Sequence, residues 1–278
     1  MKKKSSIINH QSSIRMLRVG VFDSGLGGLT IVKALTKVIK GAEIFYVADT
    51  KNAPYGEKTP EQILQYSLEI TQYLIETHDI DALVLACNTA TSFAIKELRE
   101  LYPNLIIIGT EPGVKPALEQ TKTGKIGILA TPATLKGEKY QALIKQLLMG
   151  KMGKMGKDVM LYEQACPGLV EQIESGEIAS DTTKTLLNEW LLPMKNNNVD
   201  TIVLGCTHYP LVTEVIENIM DNNISLIETG SAIANRLLTL SKALDHQNDG
   251  DLMVFIHHTD TINIDMIKHI IPKHTLIL

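Results

Sequence analysis

The stretch IVLGCTHYPLV (residues 202–212) carries an apolar run into Gly205, then sets a thiol, a hydroxyl and an imidazole side by side in Cys206, Thr207 and His208. LVLACNTATSF (residues 83–93) repeats the plan, with Cys87, Asn88 and Thr89 after its apolar run. A short aliphatic run bounded by a small residue reads as a buried strand. Both strands therefore present chemistry-bearing side chains at their carboxyl ends. Working outward, further strands are expected at 17–22, 43–48, 105–108, 125–130, 158–162, 225–227 and 252–257. Amphipathic stretches fill most of the gaps, and this alternation predicts parallel sheets flanked by helices. One helix opens at Thr59, where Gln62 completes a capping box and Pro60 suits the first helical position. Another spans 29–40 and stops at Gly41.

The chain also echoes itself. RVGVFDSG (18–25) returns as KIGILATP (125–132), and the cysteines follow at 67 residues from Gly20 to Cys87 and 79 from Gly127 to Cys206. The expected fold class is α/β: two similar α/β domains with central, mostly parallel sheets, pseudo-twofold related, and the active site in the cleft between them. Open α/β sheets bind ligands beyond the carboxyl ends of their strands. Residues 17–114 with 230–278 form the first expected domain and 115–229 the second. Residues 1–16 are read as a flexible N-terminal tail, with Met16 an alternative start. MGKMGKMGK (149–157) is read as a flexible surface insertion.

Composition narrows the class. A hydrophobic content of 44% with 21% charged residues suits a soluble globular protein. A net charge of −4 gives no drive toward nucleic acid or an anionic membrane. No apolar run approaches the ~18 residues of a spanning helix. The basic N-terminus lacks the apolar segment of a secretory signal. A cytoplasmic protein with reduced thiols is expected. Three cysteines without a C-x-x-C pair point to reactive thiols rather than disulfides.

Cys87 and Cys206 should stand beside helix N-termini, where free N–H groups and the macrodipole favour thiolate. A small buried hydrophobe is the alternative for either alone, but two at matched positions favour function. Cys166 is expected to be structural. In GVFDSGLGG (20–28) the glycines approximate a dinucleotide loop, and Asp49 ends the next strand where a ribose-binding acid could stand. The pattern's third glycine falls on Thr30, however, and Asp23 would oppose a pyrophosphate. A carboxylate and hydroxyl, Asp23 and Ser24, on a ledge open to a small ligand fit better. APYGEKT (53–59) is a turn that puts Tyr55 and Gly56 on the same edge. Cys206 and His208 do not supply the three or four ligands a metal needs. The other histidines, including His257 and His258 at the start of a C-terminal turn, receive no role.

In FDSGLGG, PYG, ACNTA and GCTHYPL, over about residues 17–278, the sequence resembles the glutamate racemases, cofactor-independent members of the aspartate/glutamate racemase superfamily. The resemblance implies an isomerase interconverting L- and D-glutamate and supplying D-glutamate for peptidoglycan, and so for the cell wall and cell shape. It implies no cofactor, no metal, no nucleic-acid or membrane partner, and a homodimer. Cys87 and Cys206 become the catalytic pair. Asp23, Ser24, Tyr55, Gly56, Asn88, Thr89, Thr207 and His208 become substrate contacts, with Asp23 and His208 also assisting the thiols. ACPGLVEQIE stands where the family reads like ACPLFVPLVE, which makes Glu174 the catalytic acid and Glu171 a near miss. Aspartate or hydantoin racemases, a thiol redox protein and a silent binding protein are the competing readings.

Overall fold

The computed structural model describes residues 15–151, 159–244, 246, 250–271 and the backbone of 275–277. Strand β1 (Leu17–Asp23) leads to α1 (Leu29–Val38), β2 (Ala42–Ala48), α2 (Pro60–His78), β3 (Ala82–Leu85), α3 (Asn88–Leu101), β4 (Ile106–Gly109) and α4 (Val114–Gln120). The plan recurs in β5 (Lys125–Ala130), α5 (Pro132–Lys136), α6 (Glu138–Lys151), β6 (Met160–Ala165), α7 (Leu169–Glu174), α8 (Asp181–Asn196), β7 (Thr201–Gly205), α9 (Thr213–Ile219) and β8 (Ser225–Ile227). Then come α10 (Gly230–Ser241), β9 (Met253–His258), α11 (Ile264–Ile270) and β10 (Thr275–Ile277).

The strands form two sheets in the orders β10-β9-β2-β1-β3-β4 and β6-β5-β7-β8. Every pairing is parallel. The run β2-β1-β3-β4 is thus matched strand for strand by β6-β5-β7-β8. The echoed octapeptides lie on the central strands β1 and β5, and the two cysteines follow the equivalent strands β3 and β7.

Strands covered on both faces read as continuous apolar runs. On the first sheet, Leu17, Val19 and Val21 pack with Leu35 of α1, Leu237 of α10 and Ile270 of α11. Phe22 and Leu85 face the opposite way, against Leu74 of α2 and Leu98 of α3. On the second, Leu129 and Leu204 meet Ile173 of α7 and Leu187 of α8, while Ile128 and Val203 meet Leu118 of α4 and Tyr140 of α6. Each fully buried side chain of this size contributes about 1.5–3 kcal/mol. The capping box of α2 is formed, with Thr59 Oγ1 accepting from the Gln62 N–H at 3.3 Å and Gln62 Oε1 accepting from the Thr59 N–H at 3.1 Å.

Several boundaries differ from expectation. β6 starts at Met160 and runs to Ala165, because pairing with β5 in the register Lys125↔Met160 to Ala130↔Ala165 fixes its extent. Its end reads polar, through Glu163 and Gln164, because little covers this edge strand. α1 ends at Val38, short of 40, where Ile39 turns extended. α6 continues through Lys151, so residues 149–151 are helix and not loop, while 152–157 lie outside the described residues. Arg15 is held by Asp81 at 2.7 Å and Asp79 at 3.4 Å, which removes it from the expected flexible tail. Residues 1–14 lie outside the described residues. His257 and His258 end strand β9 beside Val47 and Ala48 instead of opening a turn. Among the described residues no helix is long and apolar enough to cross a membrane.

Candidate active site

Strand β3 delivers Cys87 to the N-cap of α3, where its Sγ accepts the Ala90 N–H at 3.4 Å. Ser24 Oγ lies 3.9 Å from the same sulfur. The position is as expected; the acidity is not. Burial first, and the charge of Asp23 second, push the Cys87 thiol up to about 12 despite the Ala90 N–H. One helix-terminal N–H and a dipole offset less than the loss of water around a thiolate. Asp23 is itself fully buried. It accepts the Gly25 N–H at 3.1 Å and the Thr207 hydroxyl at 3.2 Å. Burial raises its pKa, although His208 pulls the other way.

Strand β7 delivers Cys206 differently. No α-helix begins there: Thr207 and His208 form a turn, and a 3-10 helix over Tyr209–Val212 precedes α9. The expected helix N-terminus is replaced by an imidazole. His208 Nδ1 lies 3.6 Å from Cys206 Sγ, and Nε2 lies 2.5 Å from Oε1 of Glu174, the last residue of α7. Burial opposes charge on His208, but hydrogen bonds and charge from Cys206 and Glu174 prevail and raise its pKa well above the ordinary value. Burial opposes charge on Glu174 too, and is outweighed by His208 and by the Leu26 N–H at 2.6 Å, so its pKa is lowered.

The glycines of FDSGLGG follow from this packing. A Cβ on Gly25 would overlap Glu174 Oε1, and one on Gly27 would overlap the His208 ring. The loop is glycine-rich because the acid machinery of the second sheet leans directly on it, and not because a phosphate does. Asp49, considered above as a ribose-binding acid, is buried and accepts the Tyr55 hydroxyl at 2.7 Å.

One cavity collects these groups. Ser24, Tyr55, Gly56, Cys87, Asn88 and Thr89 line it from the first sheet's loops, and Thr131, Thr134, Cys166, Cys206, Thr207 and His208 from the second's. Asn88 Oδ1 is buried and meets no hydrogen-bond donor among the described residues. The Thr89 hydroxyl bridges to those of Thr131 at 3.0 Å and Thr134 at 3.3 Å. Such a cavity offers two cysteine side chains, each with titratable neighbours, to one small molecule.

The family described as Asp/Glu/Hydantoin racemase matches residues 29–237. The chain belongs to this racemase family. A glutamate racemase of Sulfurovum sp. is 64% identical over 258 residues, 93% of this chain and 95% of that protein. The crystal structure of a glutamate racemase from Bacillus anthracis superposes with a TM-score of 0.80 at 26% identity, covering 94% of this chain and 96% of that one. That of the Francisella tularensis glutamate racemase, in complex with D-glutamate, gives 0.76 at 26% identity, covering 94% and 97%. As a racemase the protein is an isomerase.

In this racemase the expected site residues come together from both sheets. Asp23, Ser24, Tyr55, Gly56, Cys87, Asn88, Thr89, Cys206, Thr207 and His208 either line the cavity or bond a residue that does. Glu174 bonds His208, whereas Glu171 stands exposed at the cavity wall. Sequence reasoning missed Thr131 and Thr134, although the octapeptide echo itself aligns Thr131 with Ser24. It also read Cys166 as structural; the thiol is buried, and its residue forms part of the cavity wall. The backbone amides of Leu26 and Gly27 left no signal, because any residue carries one. Among the described residues no group of three or more His, Cys, Asp or Glu is arranged to hold a metal.

Proposed function

We propose that the protein is a glutamate racemase that interconverts L- and D-glutamate with two cysteine bases and no cofactor, and so supplies D-glutamate for peptidoglycan. The observation that carries this reading is the pair Cys87 and Cys206, brought from equivalent strands of two sheets to one cavity. Racemisation takes hydrogen from one face of Cα and returns hydrogen to the other. Two facing thiols do this without moving the substrate.

In one direction a Cys87 thiolate takes the Cα proton and becomes a thiol, and the Cys206 thiol protonates the opposite face and becomes a thiolate. The reverse reaction exchanges the roles. The carbanion needs its charge drawn into the α-carboxylate, which amides at a helix N-terminus and in a tight turn stabilise. Asn88 and Thr89 in the first turn of α3, and Thr207 and His208 after β7, serve here. A substrate ammonium beside Asp23 offsets the charge that helps hold the proton on Cys87, so binding favours its ionisation. The unpartnered Asn88 Oδ1 is an acceptor suited to the same ammonium. On the other side His208, backed by Glu174, stabilises the Cys206 thiolate and helps return its proton. The Tyr55–Gly56 turn and the threonine hydroxyls provide the polar end for the side-chain carboxylate. Turnover of L-glutamate followed by polarimetry without added cofactor tests the reading. Activity on aspartate and none on glutamate would replace it with the related specificity of the same family.

A further inference from the structure

Thr30, the second residue of α1, has no place in the mechanism above, yet its hydroxyl sits where the two halves meet. Oγ1 lies 2.8 Å from the carbonyl oxygen of Gly27 and 3.1 Å from that of Thr207, 177 residues away. A hydroxyl has one proton to donate, so it is shared between the two carbonyls. Each carbonyl belongs to a segment that controls His208. The Thr207 carbonyl lies in the peptide plane that carries the His208 amide. Gly27, whose carbonyl Thr30 holds, directs its own N–H at His208 Nε2 from 3.2 Å. The neighbouring Leu26 N–H reaches Glu174 Oε1 at 2.6 Å. An N–H aimed at Nε2 disfavours a proton on that nitrogen, whereas Glu174 at 2.5 Å favours one. The balance is sensitive to where peptide 27 lies relative to the imidazole. Thr30 fixes that relation from the rigid start of a helix.

We propose that Thr30 is a positioning residue for the Cys206 side of the reaction: its hydroxyl ties the glycine loop to the Thr207–His208 turn and so sets the His208–Glu174 pair against Cys206. The proposal rests on the two-thiol reading above. Cys87 bonds Ala90 and Ser24 and meets Thr30 only indirectly, through Thr207 and Asp23, so the effect falls mainly on the Cys206 side.

The test compares Thr30→Val, which keeps the shape and removes the hydroxyl, with Thr30→Ser, which keeps the hydroxyl. Thr30→Ala serves if valine prevents folding, as judged by thermal melting. Kinetics are run with both glutamate enantiomers, protiated and deuterated at Cα. Thr30→Val should lower kcat about tenfold, less than the ~10²–10⁴-fold of a lost acid or base, because His208 itself remains. It should raise the isotope effect on kcat/KM for the enantiomer deprotonated by Cys206 and lower it for the other, the pattern also expected of His208→Asn. Thr30→Ser should restore both values. A merely structural role would change melting or KM without splitting the isotope effects. Wild-type isotope effects in Thr30→Val, or failure of serine to restore them, would overturn the proposal while leaving the racemase reading intact. A wild-type protein that racemises no glutamate would remove the reading and the proposal with it.

Discussion

The two thiol sites share a topology and differ in how they handle a proton. Cys87 caps a 14-residue helix, is packed against Ser24, and has a buried carboxylate, Asp23, as its charged neighbour. Cys206 runs into a 3-10 turn and has an imidazole at 3.6 Å, itself paired to a carboxylate. On the first side burial wins, and the proton is held on sulfur. On the second, the protein has placed a chain of titratable groups that carries charge in spite of burial. A repeated strand order therefore fixes where the two thiols stand. It does not make them alike.

The largest effect should come from removing either of the two proposed bases. Cys87→Ser and Cys206→Ser should each lower racemisation by about 10²–10⁴-fold, the range for loss of a positioned acid or base. In heavy water the wild type should place deuterium at Cα of early D-glutamate while leaving the remaining L-glutamate nearly unlabelled. On the two-thiol proposal the new hydrogen comes from the second thiol, already exchanged with solvent. Mainly protiated early product would mean that a single base serves both faces, and the comparison would collapse.

A smaller loss, about 10–100-fold in kcat and so at or below the low end of that range, is expected for His208→Asn and for Asp23→Asn. Primary isotope effects should rise for opposite enantiomers in the two variants if, as proposed, each assists a different thiol. Parallel changes would show that both residues act in binding alone.

Alkylation sharpens the contrast without any mutation of the thiols. Thiolate is the reactive form, and Cys87 is held up to about 12. Its modification by iodoacetamide in the free protein should therefore be slow near neutral pH. It should climb about tenfold per pH unit toward that value, as the ionised fraction does. Asp23→Asn should speed it by removing the second contributor to the shift. Peptide mapping by mass spectrometry would read it site by site, and a rate at Cys87 independent of pH between 7 and 10 would contradict the buried, protonated thiol.

The His208–Glu174 pair also leaves a signature in stability. A raised imidazole pKa contributes stability fully present below the ordinary 6.5 and lost as pH rises through the folded value. A lowered carboxylate pKa contributes stability present above the ordinary 4.5 and lost as pH falls through its folded value. Both contributions coexist across mildly acidic pH. The melting difference between wild type and His208→Asn should be widest there and shrink toward strong acid. The smallest effect should be at Arg15, remote from both thiols and 40% exposed. Surface ion pairs contribute about 0–1 kcal/mol, so Arg15→Ala should leave kcat and both isotope effects unchanged.

Much of this is legible in the amino-acid sequence. The apolar runs before Cys87 and Cys206, the capping box at Thr59 and the echo of 18–25 in 125–132 state the strands, one helix start and the internal repeat directly. The motifs brought Asp23, Ser24, Tyr55, Asn88 and His208 to one cavity edge on paper. What was not legible depends on distance. β6 was misplaced because its extent is set by register with β5. The acidity of Cys87 was misjudged because sequence shows the helix that favours a thiolate and not the packing that excludes water from it.

The sequence by itself determined the alternation of strand and helix, the doubling of the plan and the residue types at each strand end, since those are local consequences of hydrophobic period and turn chemistry. Only the tertiary structure decided that Gly25 and Gly27 are bare so that Glu174 and His208 can lean on them. It also decided that Thr207 reaches Asp23 across the cleft, and that Thr30 ties two carbonyls 177 residues apart. Hydrogen bonds and close packing act over a few ångströms of space, whatever the separation along the chain, and no local pattern records them.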